Sequence, residues 1–168
     1  IVGGLSEIQE PIRTTVAIGY HRGPAVLGTV GEHDRLDTTV LSDAVNVASR
    51  VHMLAAGYDV NILASESAVS GHSCEEEYYA RFADVVRLKG RSEPTRVYEI
   101  LPAVSRVGRM QIDSDYEKAF AALRASDLTT ATNLIASCLK SDPNDSIFRM
   151  LSKRIEEFQR NGFPADWD

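Results

Sequence analysis

An α+β domain followed by a small all-α appendage is the fold class this sequence predicts, and three observations carry it. Between residues 14 and 101, short β-type runs rich in Val, Ile, Thr and Tyr alternate with glycine-bearing turns. One amphipathic helical pattern, at 43–55, interrupts them. From residue 113 onward the hydrophobic period changes to that of helices. The organisation that follows is an α+β part at 1–101, a linker at 102–112 and a helical tail at 113–168.

Taken in order, residues 1–12 read as the end of a helix, closed by Pro11. Residues 14–20 and 24–30 read as two strands joined by His21-Arg22-Gly23-Pro24; Gly19, Gly23, Gly28 and Gly31 either supply turn conformations or keep side chains out of a closely approached surface, and the first reading is hairpin geometry. A short strand at 38–41 passes through Ser42-Asp43, a natural helix start, into the helix at 43–55. That helix is expected to bury Val45, Val47, Val51 and Leu54 and to stop at Gly57. Residues 60–64 read as a buried strand, 65–71 as a brief helical turn, and 82–88 and 95–101 as the last two strands. Pro102 and Gly108 mark the linker. Three helices follow at 115–125, 128–140 and 146–160, separated by Asp127 and by the turn residues Ser-Asp-Pro-Asn-Asp at 141–145. Ala119, Ala131, Cys138 and Pro143 fall where a tetratricopeptide pattern wants small residues and a terminating proline, with Tyr116 one place from the expected early aromatic. So short a tail cannot bury a solenoid core alone, so it is expected to pack on the preceding domain or on a protein partner.

Composition limits the function classes. Hydrophobic residues make up 43% and charged residues 25% of 168, an ordinary globular balance. A net charge of −6 without basic clusters argues against a nucleic-acid partner, because phosphate binding needs positive charge. Cys74 and Cys138 stand far apart, outside any CxxC context, and read as free thiols of a reducing compartment. The expected location is therefore cytoplasmic, with any membrane anchor belonging to a longer parent. The chain starts without Met and is expected to be a piece of such a parent.

The stretch with most chemistry is 35–50, Arg-Leu-Asp-Thr-Thr-Val-Leu-Ser-Asp-Ala-Val-Asn-Val-Ala-Ser-Arg. Asn46 and Arg50 are four residues apart and so share a helical face. By spacing alone such a pair is more often a solvated surface than a site. An amide beside a guanidinium past a strand-to-helix turn can nevertheless hold a polar, anionic ligand in one pose. The wording around the pair resembles the class III adenylyl and guanylyl cyclases. Ala-Ile-Gly-Tyr-His-Arg-Gly at 17–23, running on to Gly31, resembles that family's Gly-x-His-x-Gly turn between two strands. Val-Val-Arg-Leu-Lys-Gly at 85–90, running on to Ile100, resembles its closing strand, Lys-Gly turn and final strand.

The resemblance covers about 16–101 and only the second half of that ferredoxin-like nucleotidyl cyclase domain. It implies an adenylate cyclase, converting ATP to 3′,5′-cyclic AMP and pyrophosphate. Carried over residue by residue, Arg50 is the catalytic group that stabilises charge on the transferring phosphoryl, and Asn46 orients the ribose. Thr39 reads the adenine and Lys89 neutralises the terminal phosphates. Two Mg2+ or Mn2+ ions are implied, their aspartate ligands in the half that this sequence lacks, so no metal ligand is assigned here. The implied partner is a second copy or a complementary cyclase half, and this half alone is expected to be inactive. Ser42 stands where the family commonly has glycine, and His21 and Asp43 are read as turn and cap residues. The competing reading is a non-catalytic regulatory module derived from a cyclase domain.

Overall fold

The computed structural model describes residues 16–32, 35–70, 77–88 and 93–164. The helix end expected at 1–12, Cys74 and Lys89 lie outside the described residues. The chain builds β1 (Ile18–Tyr20), β2 (Val26–Glu32), β3 (Arg35–Leu41), α1 (Asp43–Gly57), β4 (Ile62–Ser65), α2 (Glu66–Val69), β5 (Tyr78–Val86) and β6 (Thr95–Pro102). A 3-10 turn at Ala103–Arg106 leads to α3 (Met110–Arg124), α4 (Leu128–Ser141) and α5 (Ser146–Asn161). The mixed α+β class and the helical appendage are both present.

Strands β1, β4, β6 and β5 form one sheet in that order, with β1 parallel to β4 and the other pairs antiparallel. Among the described residues, strands β2 and β3 pair only with each other, in an unbroken antiparallel register from Val26 opposite Leu41 to Glu32 opposite Arg35. Val26, Leu27 and Val40 are exposed on this hairpin.

Helix α1 lies on the sheet and buries Val47, Val51 and Ala55 completely. Val45, expected inside, is 51% exposed, because the packed stripe advances by four residues from Val47 and leaves position 45 on the far side. The helix also runs through Gly57. Its stop is Tyr58, whose N–H reaches back to the Leu54 and Ala56 carbonyls, followed by Asp59 in the left-handed region at φ 56°. A Cβ on Gly57 would meet nothing within 4 Å, and its φ is not positive, so the position does not require glycine.

The tail docks onto β5, and one hydrophobic cluster runs from Val47, Val51 and Leu63 through Phe82, Ala83 and Val97 to Tyr116, Phe120, Phe148 and Leu151. The β5–β6 register shifts between Phe82 and Asp84, within the segment that meets the helices. Each of four consecutive β5 residues engages the tail. Arg81 forks onto Asp145, the cap of α5, at 2.6 and 3.1 Å. The Phe82 ring meets Phe120 edge-on at 5.0 Å. The Ala83 carbonyl accepts the Tyr116 hydroxyl, and Asp84 accepts both Arg154 nitrogens at 2.9 and 2.6 Å. Helix α3 begins at Met110, inside the stretch read as linker, because Arg109 is drawn in by Asp142 and Asp145. Ala119, Ala131 and Cys138 are buried between the helices, and burial pushes the Cys138 thiol up to about 11.

Candidate active site

Strand β3 delivers the chain to α1 with one intervening residue, Ser42. Its backbone is extended, at φ −161° and ψ 138°, which any residue adopts, so a serine replaces a glycine there without strain. The Ser42 hydroxyl accepts the Ala44 N–H at 2.9 Å and donates to the Pro24 carbonyl, so one side chain caps α1 and ties it to the β1–β2 turn. Asp43 occupies the first helical turn, where its charge complements the helix dipole.

One turn past the cap, Asn46 is exposed; Arg50, one turn further, is half-buried. Both lie off the Val47/Val51/Ala55 stripe, so the helix presents the amide and the guanidinium together while its other face is locked in the core. Thr39 is in β3 opposite Gly28, three residues before the cap; its side chain lies outside what the structure describes. Lys89 follows Leu88, the last described residue after β5. The structure thus brings Asn46 and Arg50 to one face and leads the Thr39 strand into their helix.

Contacts at its middle and end fix that helix, and a polar cluster supports the turn against its start; of these the sequence offers only close approach at the glycines, as an alternative. At its middle, β1 crosses α1 at Gly19. A Cβ there would sit 2.1 Å from the His52 backbone nitrogen and 2.5 Å from the Ala48 carbonyl oxygen, so close approach, not hairpin geometry, is what requires glycine. His52 adds a ring N–H donated to the Ala17 carbonyl at 3.1 Å. At its end, the Tyr58 hydroxyl donates to Asp84 at 2.6 Å, and burial followed by the adjacent carboxylate pushes the phenol well above its ordinary range. In the β1–β2 turn to which the Ser42 cap is bonded, His21 Nδ1 lies 2.7 Å from the Ser65 hydroxyl and 3.2 Å from that of Ser67, which in turn donates to the Arg22 carbonyl at 2.7 Å. Asp84 inside an apolar strand and His21 inside a glycine-framed turn were the available signals.

Among the described residues no group of three or more His, Cys, Asp or Glu side chains is placed to hold a metal ion. No described helix is long and apolar enough to cross a membrane.

The architecture is a mixed four-stranded sheet carrying a helix with an amide and a guanidinium on one face, together with a two-stranded hairpin. The chain belongs to the adenylate and guanylate cyclase catalytic domain family, whose model matches residues 5–101, over half of the sequence. It is 48% identical over 89 residues to an adenylate cyclase of Anabaena cylindrica, an alignment covering 52% of this chain and 18% of that protein. It is 37% identical over 89 residues to adenylate cyclase 1 of Rhizobium meliloti (strain 1021), covering 53% and 13%. A third alignment, to the terminal-differentiation specific adenylate cyclase of Dictyostelium discoideum, is 30% identical over 132 residues and covers 76% of this chain but 6% of that protein. The chain therefore spans less than a fifth of each of these relatives.

Proposed function

We propose that this chain is the part of an adenylate cyclase catalytic domain that supplies the base-, ribose- and phosphate-binding groups. The supporting observation is the shared face of Asn46 and Arg50 on a helix fixed at both ends and in its middle. In the reaction, the 3′-oxygen of ATP attacks the α-phosphorus in line, the bond from that phosphorus to the bridging oxygen breaks, pyrophosphate leaves, and the hydroxyl proton is lost. Charge on the equatorial oxygens rises in the transition state, where the Arg50 guanidinium meets it with two donors. Asn46 holds the ribose so that the attacking oxygen is aligned, Thr39 accepts the adenine amino group, and Lys89 offsets the charge of the terminal phosphates.

The family generally uses divalent metal, which lowers the pKa of the attacking hydroxyl and neutralises phosphate charge. The described residues of this chain offer no ligand set for it, so on this proposal Mg2+ or Mn2+ is held by an upstream half, and none of the steps above is assigned to it. Binding groups from one chain and metal ligands from another make a head-to-tail dimer, or a complementary half, the working unit.

The test uses two inactive full-length parents, one carrying Arg50→Ala and the other lacking its upstream metal-binding carboxylates. Arg50→Ala should lower kcat by about a hundredfold or more with little change in KM. Mixing the parents should restore activity, because each mixed dimer rebuilds one complete site. Demonstrated subunit exchange without recovery would place both residue sets in one chain's own site and end the shared-site reading. Equal kcat/KM for ATP and GTP in the wild type would end the adenylate assignment.

A further inference from the structure

The turn that joins β1 to β2 is bound to two places at once. Ser67 gives its hydroxyl hydrogen to the Arg22 carbonyl, and Pro24 takes the hydroxyl hydrogen of Ser42, the α1 cap. Between them Gly23 presses on α1, since a Cβ on it would lie 2.9 Å from the Ala44 methyl. His21 and Arg22 face the β4–α2 junction, while Gly23 and Pro24 face the start of α1. The turn is therefore a link between the two, and Asn46 sits one helical turn beyond the cap that it holds.

Counting hydrogens at the two serines shows what a hydrogen on His21 Nδ1 would complete. A carbonyl oxygen only accepts, so the single Ser67 hydrogen is committed to Arg22 at 2.7 Å. The Ser67 oxygen can then accept from Ser65, 3.2 Å away, or from His21. If Nδ1 carries a hydrogen, it donates to Ser65 at 2.7 Å, Ser65 donates to Ser67, and Ser67 donates to Arg22. Every link in that chain then has one hydrogen. If Nδ1 is bare, Ser65 has one hydrogen for two acceptors, and a lone-pair contact is left at the Ser65 hydroxyl, on a residue with no exposed surface.

We propose that His21 is a positioning residue: its Nδ1–H, relayed through Ser65 and Ser67, locks the β1–β2 turn against the start of α1 and so sets where Asn46 holds the ribose. This deepens the cyclase reading above and rests on it for the catalytic consequence only. The relay requires a donor at Nδ1, close to Cβ. The amide nitrogen of Asn occupies nearly that position, whereas that of Gln lies near Nε2 instead.

The experiment uses the full-length protein with ring-15N-labelled histidine and the variants His21→Ala, His21→Asn and His21→Gln. Long-range 1H–15N spectra of the wild type should show Nδ1 protonated at neutral pH. Hydrogen exchange at Ala44 and the first turn of α1 should quicken in His21→Ala and His21→Gln and return toward the wild-type rate in His21→Asn. The kcat should fall by about ten- to a hundredfold in the first two and recover in the third, as expected for a small misplacement of a positioning group. A bare Nδ1 in the wild type, or equal behaviour of His21→Asn and His21→Gln, would overturn the proposal. If the wild type forms no cyclic nucleotide, the cyclase reading fails by itself, and the spectra and exchange rates still decide the role of His21.

Discussion

Arg154→Met tests the joint between the site helix and the tail. Asp84 has no exposed surface, and its two oxygens accept four hydrogen bonds: Arg154 at 2.9 and 2.6 Å, the Tyr58 hydroxyl at 2.6 Å and the Val85 N–H at 2.8 Å. Methionine keeps most of the volume of the arginine stem and removes both donors and the positive charge. Tyr58 and the Val85 amide remain, but neither neutralises the carboxylate, so a buried charge is left uncompensated. Breaking such a pair from one side costs about 3–5 kcal/mol. For a chain of this size that corresponds to a fall in Tm of roughly 6–20 °C. Replacing both partners, as Asp84→Leu with Arg154→Met, should cost far less than the two single changes added together, because no orphaned charge remains. Urea and thermal denaturation of the four proteins give the coupling energy directly. A single-variant cost below about 1 kcal/mol, the range of an exposed pair, would show that Asp84 is solvated and that the joint contributes little. Strict additivity would show the same.

Gly19→Ala puts a methyl group into the backbone of α1. In an open strand alanine would be better than glycine by about 0.5–1 kcal/mol; here the 2.1 and 2.5 Å approaches to backbone atoms reverse the sign, and a net loss of roughly 1–3 kcal/mol is expected by chemical denaturation. Unchanged or improved stability would mean that α1 rides higher on the sheet than described. Asp145 gives a pH prediction. Burial raises its pKa, but the Arg81 hydrogen bonds and charge, the Phe148 N–H and Arg109 outweigh it and hold the carboxyl below its ordinary range. Its contribution is therefore complete above the unfolded-state value and lost as pH falls through the folded one. The stability gap between wild type and Asp145→Asn should be constant near neutrality and narrow on acidification below the ordinary aspartate range; a gap that widens in acid would contradict the sign.

Much of the architecture was legible because it is written locally. The start of α1 is encoded by Ser42 as cap, and its buried face by Val47 and Val51 at helical spacing. What was not legible depends on partners distant in sequence. Strand β5 starts at Tyr78, four residues before the predicted 82, because pairing with β6 runs out to Tyr78 opposite Pro102. Arg109 starts α3 within a stretch that looks like linker, since its anchors Asp142 and Asp145 are more than thirty residues away. Asp84 and Glu99 fall within the predicted strands and Arg81 just before one, and their burial requires partners that the sequence does not name. Asn46 and Arg50 were readable as one face from spacing alone. The contacts that hold that face in place were not, because they join α1, or the turn against its cap, to parts of the fold distant in sequence.

Those contacts differ in kind, and the difference says which end of the site helix yields first. The C-terminal end is held through Tyr58 to a buried carboxylate that is itself paired with Arg154, and charge-assisted hydrogen bonds of this sort contribute about 1.5–3 kcal/mol each. The middle is held by steric contact at Gly19, which resists approach in one direction only. The N-terminal end rests on neutral hydroxyl bonds from Ser42, Ser65 and Ser67, in the range of about 0.5–1.5 kcal/mol each. Asn46 is at that softer end and Arg50 is beside the crossing. A perturbation spread evenly along α1 should therefore displace the Asn46 amide before the Arg50 guanidinium. The helical tail, which supplies Arg154, sets the stiff end against which that displacement takes place.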